Sequence, residues 1–112
     1  MSKKPTENDV IEGSTNVFAD LALPDSEELL AKAQLASAIS DIIDGRRLTQ
    51  AAAADLLGTT QPKVSNLVRG RLEGFSLERL ARFLNSLDRD VEIRVKPRPR
   101  SRDISRIRVT VG

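Results

Sequence analysis

The side chains with the most evident chemistry are gathered around TQAAAADLLGTTQPKVSNLVRG, residues 49–70. Gln61, Lys63, Ser65 and Asn66 stand close together there, with Gln50 before them and Arg69 and Arg71 after. Gln and Asn amides present a donor beside an acceptor, which matches an adenine edge, and a Lys ammonium reaches guanine or a phosphate. No acid interrupts residues 59–72. This is the chemistry of recognition, aimed at a polyanion, rather than of bond-making. The chain has no His, Cys or Tyr. Their absence removes disulfides, zinc sites with Cys or His ligands, and His- or Cys-based catalysis. The Ser, Asp and Glu residues fall mostly at expected caps and solvent faces, and there is no glycine-rich phosphate loop. No enzymatic activity, cofactor or metal is expected.

Two short helices must position these groups. Thr49 is placed to cap a helix over residues 50–57, which Gly58 ends. Thr60 or Gln61 caps the next, with Pro62 in its first turn, where a missing N–H costs no intrahelical bond. That helix runs to about Arg69 and stops at Gly70. Counted from Gln50, Ala54 is fifth, Gly58 ninth and Val64 fifteenth. The fifth position lies where two helices cross closely and needs a small side chain. The ninth makes a sharp turn with positive φ, which glycine takes without strain. The fifteenth plugs the second helix onto the first and must be apolar. Leu57 and Leu67 complete the shared core. All five fit a helix-turn-helix whose second helix is available for the major groove. Val64, Leu67 and Val68 are expected to point inward, leaving Gln61, Pro62, Lys63, Ser65, Asn66 and Arg69 outside. Gln61, Lys63, Ser65 and Asn66 are the candidate base readers. Gln50, Thr60, Arg69 and Arg71 are the candidate backbone contacts, Gln50 because a helix N-terminus holds phosphate.

Around this pair the chain reads as one small domain with tails. Of its 112 residues 39% are apolar but only 3% aromatic, so the core must be Leu, Ile, Val and Ala. Residues 1–13 are polar and aperiodic and are expected to be disordered. STNVFADLALPDSEE follows, with Val17, Phe18, Leu21 and Leu23 spaced as a turn of helix ending before Pro24. Residues 25–45 read as a long helix. Asp25 and Glu28 make a capping-box-like start, Leu29, Leu30, Ala33, Ala36, Ile39, Ile42 and Ile43 a stripe, and Gly45 a left-handed stop. FSLERLARFLNSLDRD is a further helix with Ser76 as N-cap and Phe75 and Leu80 as a hydrophobic staple. Leu77, Leu80, Ala81, Phe83, Leu84 and Leu87 are its buried side.

The period then changes to two at Val91, Ile93 and Val95, and again at Ile107, Val109 and Val111, on either side of basic PRPRSRD. Two strands there form a hairpin, or each pairs with a second subunit, because a lone strand leaves its backbone unsatisfied. The expected fold class is mainly α: a compact helical bundle with a helix-turn-helix, plus short C-terminal β-strands. The expected organisation is a disordered tail over 1–13, a helix-turn-helix domain over 14–96, and a basic linker and strand over 97–112.

Charge is divided along the chain. Residues 1–44 carry a net −6 and residues 45–112 a net +8. The basic part suits a polyanion and the acidic part a basic protein, or the two are solvated faces of opposite sign. The apolar runs are too short to cross a bilayer, and the first ten residues hold no apolar signal core. A cytoplasmic place and no membrane partner are expected.

The run LTQAAAADLLGTTQPKVSNLVRGR resembles the XRE, or Cro/phage-repressor, class of helix-turn-helix. The wider run over about residues 14–97 resembles the compact XRE-type proteins known as HigA-like antitoxins. The resemblance implies a dimeric operator-binding repressor with a lambda-repressor-like fold. It also implies a partner toxin of the RelE/HigB type, an mRNA-cleaving ribonuclease that the antitoxin binds, the pair repressing its own operon. By position, Gln61, Lys63 and Asn66 match base-reading positions of the class and Gln50 a phosphate contact. Pro62 departs from the polar residue that many phage repressors carry there. Val17, Phe18, Leu21 and Leu23 either cover the core of their own domain or contact the toxin. Two other readings compete: a stand-alone XRE regulator without toxin, and a dimeric interaction or RNA-binding module whose basic tail carries the affinity.

Overall fold

Among the described residues, 10–11 and 25–112 of the computed structural model, the chain runs β1 (Val10–Ile11), α1 (Asp25–Gly45), α2 (Gln50–Leu57), α3 (Gln61–Val68), α4 (Leu77–Ser86) and β2 (Ile93–Arg94). Three helices open on a hydroxyl that satisfies an otherwise orphaned N–H. Thr49 Oγ1 accepts from the Ala52 N–H at 3.1 Å, Thr60 Oγ1 from Lys63 at 3.4 Å, and Ser76 Oγ from Arg79 at 3.0 Å. Thr60 rather than Gln61 is therefore the cap of α3. The long helix has the bounds expected from the sequence, and its principal partner is α4.

One apolar cluster joins the four helices. Ile39, Leu80 and Leu87 are fully excluded from solvent, with Val64 and Leu67 nearly so. The buried side of α4 is the expected one: Leu77, Leu80, Ala81, Phe83 and Leu84, with Leu87 just beyond its end. Phe75 meets Phe83 edge-on at 6.1 Å between ring centroids, and the Arg79 guanidinium lies 5.4 Å from the Phe83 centroid.

The buried face of α1 differs from the expected stripe. It is built from Ala31, Leu35, Ala36, Ala38, Ile39 and Ile43, with Ile42 half-buried. Leu29 and Leu30 are more than half exposed, and Ala33 is exposed. At 3.6 residues per turn Leu30 lies about 180° from Ile39, so it cannot share a face with it. The small residues Ala31 and Ala38 take the contact that the larger leucines were expected to make.

The end of α1 also differs. Gly45 is not left-handed; the helix continues through it, and Arg47 takes φ 54° instead. The Leu48 N–H then returns to the Ile43 carbonyl at 3.0 Å, closing the last turn over the half-buried Leu48.

The two expected C-terminal strands do not pair with each other. β2 pairs antiparallel with β1, with Val10 opposite Arg94 and Ile11 opposite Ile93, so residues 10 and 11 depart from the aperiodic tail expected there. Residues 107–111 form no ladder among the described residues. Part of their alternation survives as one-sided burial: Ile107 and Val109 are half-buried while Arg106, Arg108 and Thr110 are exposed, but Val111 is exposed as well. The covered side meets the helical body, with Val109 packed on the core and the Ile107 N–H donating to Glu27 Oε2 at 2.8 Å.

Candidate nucleic-acid interface

The site begins with the turn between α2 and α3. Gly58, at φ 69° and ψ 35°, ends α2, and the Thr59 N–H bonds the Ala54 carbonyl at 2.9 Å. Ala54 is 4% exposed and Val64 1%, so the small and apolar side chains sit where two closely crossing helices need them. Leu57 and Leu67 are buried beside them. α3 is thus fastened by Val64 and Leu67. At its far end Gly70 takes φ 77°, and the Arg71 N–H closes on the Asn66 carbonyl at 2.8 Å. Val68, expected to point inward, is 38% exposed. It lies in the last turn, where the chain reverses at Gly70 and Leu72 and Phe75 enter the core instead.

The outward face of α3 holds the sequence-predicted readers in a definite order. Val64 and Leu67 define the inward side; at 100° per residue Pro62, Asn66 and Arg69 run along the middle of the opposite face. Gln61 and Lys63 flank it on either edge. All five are exposed, whereas Ser65 is half-buried and the least available of the candidate base readers. Among the candidate backbone contacts, Arg69 and Arg71 are exposed beside one end of α3 and Thr60 at the other. The Thr60 oxygen is occupied as a cap acceptor, which leaves its O–H free to donate to a phosphate. Gln50 is half-buried in the first turn of α2.

Electrostatically the site is one-signed. Neither α2 nor α3 has an acid in its first turn, so the positive end of each helix dipole is left for an incoming anion. Among the described residues Lys63, Arg69 and Arg71 make no ion pair, whereas Lys32, Arg46, Arg82 and Arg94 do. Arg46 is a residue the sequence pattern does not single out. Its Nη2 donates to the Leu87 carbonyl at 2.6 Å and lies 3.9 Å from Asp88, tying the end of α1 to the end of α4. It is structural, and the basic charge left for a ligand along α3 is Lys63 in its first turn and Arg69 and Arg71 beyond its last. Val17, Phe18, Leu21 and Leu23 lie outside the described residues.

The profile of a helix-turn-helix domain family matches residues 17–96. A solved structure named as a putative XRE family transcriptional regulator is 54% identical, with a TM-score of 0.76 over 80% of this chain and 100% of its own. The chain belongs to the XRE family of helix-turn-helix transcriptional regulators. No curated protein matches it. Within this fold α2 and α3 are the two helices of the motif, and α3 turns its polar face to solvent. No helix of the described residues is long and apolar enough to cross a membrane.

Proposed function

We propose that the protein is a homodimeric repressor of its own operon and the antitoxin of a RelE/HigB-type toxin. Each α3 enters a major groove of a palindromic operator whose half-sites lie about one helical turn apart. Gln61 and Asn66 bond base edges, Lys63 reaches guanine or phosphate, and the half-buried Ser65 contributes beside Asn66. Gln50, Thr60, Arg69 and Arg71 hold the phosphates that set the register. The observation that carries this reading is the outward face of α3, where amides stand beside cations that make no ion pair among the described residues, without an acid, on a helix capped by Thr60.

The antitoxin half rests on the resemblance of residues 14–97 to HigA-like proteins, and it assigns the toxin contact to Val17, Phe18, Leu21 and Leu23. The net −6 of residues 1–44 complements a basic ribonuclease. Both partners place the protein in the cytoplasm. The test is a pull-down of the tagged chain from its native host with bound protein and bound DNA both identified. A small basic ribonuclease together with the chain's own promoter is the expected result. Promoter DNA without a protein partner leaves a stand-alone XRE repressor. RNA or scattered DNA with no enriched promoter overturns both.

A further inference from the structure

Beyond the helical body the chain carries Lys96, Arg98, Arg100, Arg102, Arg106 and Arg108 against one acid, Asp103. The family profile ends at Lys96, so the helix-turn-helix does not account for the five arginines of this run. All six cations are exposed except the half-buried Arg102, and among the described residues none makes an ion pair. Two of the guanidinium groups reach only neighbouring carbonyls: Arg98 that of Pro99 at 3.4 Å, and Arg102 that of Ile104 at 3.5 Å.

The run is held at both ends. On one side Ile93 and Arg94 pair with β1 and Val91 packs on the core. On the other the Ile107 N–H is fastened to Glu27 and Val109 packs on the core. Between these anchors Pro97 and Pro99 restrict the backbone, and the Arg102 N–H closes a turn on the Pro99 carbonyl at 3.1 Å. Residues 95–106 are therefore a strap, in which like charges are kept close together by attachments outside the run.

We propose that this strap is a second nucleic-acid site, a sequence-independent grip on the phosphate backbone of duplex DNA. The proposal rests on the DNA-regulator reading above. A guanidinium presents a planar fork that matches two phosphate oxygens. Attachment at both ends removes part of the ordering cost that a free arm would meet on binding. Residues 95–106 contain no Asn, Gln or aromatic residue. The strap therefore lacks amides that pair with adenine and rings on which unstacked bases lie, which favours duplex phosphate over single-stranded RNA.

The experiment measures affinity of the full chain for its own promoter duplex, a scrambled duplex and a single-stranded RNA of equal length, across a salt series. Wild type is compared with the triple variant Lys96→Gln, Arg98→Gln, Arg100→Gln and with the charge-retaining Arg98→Lys, Arg100→Lys. The Gln variant should weaken both duplexes by the same factor. It should flatten the plot of log K against log salt by about 0.9 for each phosphate that the strap no longer neutralises. The Lys variant should keep the slope. All three positions are exposed, so melting temperatures should stay together. An unchanged slope with promoter binding intact overturns the strap while leaving the regulator standing, as does a weakening confined to the RNA. A wild-type chain that does not prefer its promoter over the scrambled duplex overturns the regulator reading, and the strap with it.

Discussion

Gly58 and Arg47 hold nearly the same left-handed backbone, at φ 69° and 54°, and only one of them is glycine. An L side chain in this region costs roughly 1–2 kcal/mol. Gly58→Ala should therefore lower stability by about 1 kcal/mol, and Arg47→Gly should raise it by a similar amount, both read from chemical unfolding. Ala54, Gly58 and Val64 were legible in the sequence because each position admits one kind of side chain. Gly45 was not, because glycine fits a helix interior as well as a left-handed stop, and the turn is closed one residue short of Leu48 by Arg47 instead. The proposed base readers obey a different logic. Gln61→Ala and Asn66→Ala should each cost on the order of 1–3 kcal/mol of operator binding and relax specificity at one base pair, with little change in folding. Titrations against operators altered at single positions measure both.

At the scale of elements, the helices that carry the site are set by their caps. Ser76→Ala and Thr60→Ala each remove a capping oxygen, and each should destabilise the fold by roughly 0.5–2 kcal/mol. They should differ in binding. Ser76→Ala should leave the affinity of the folded protein unchanged, whereas Thr60→Ala should weaken it if, as proposed, the hydroxyl that caps α3 also holds a phosphate. Thermal melts beside DNA titrations separate the two effects. The turn holds a second hydroxyl, Thr59 Oγ1, which is buried without a hydrogen-bond partner. Thr59→Val should therefore raise stability by about 1 kcal/mol, since no bond is broken and a desolvated polar group is removed. The caps Thr49, Thr60 and Ser76, the turn glycines Gly58 and Gly70 and the amphipathic α4 were readable because their signals lie within a few residues. The buried face of α1 was misread because Leu29 and Leu30 outweigh Ala31 and Ala38 in hydrophobicity, while only helix phase decides which of them meets α4. The first C-terminal strand stands as β2, but its expected pairing with residues 107–111 was misread for a related reason. Alternation at Ile107 and Val109 marks one covered side, and the cover here is a helical body rather than a second strand, while Val111 beyond them is exposed.

At the scale of the whole molecule, the division of charge along the chain leaves the outward face of α3 and the C-terminal strap with too few acids to neutralise them. The chain also contains no His, the side chain whose ordinary titration falls nearest neutrality. DNA affinity should accordingly change by less than about twofold between pH 6 and 7.5, and fall steeply with added salt over the same range. The central claim is that α3, paired across a dimer, reads a two-fold DNA site. The most direct measurement is selection of host genomic fragments on the full chain, followed by footprinting of the enriched sequence. The predicted result is one dominant palindrome upstream of the chain's own reading frame, with two protected half-sites about 10 base pairs apart centre to centre. Enrichment of fragments that share no sequence and show no protected half-sites would contradict it.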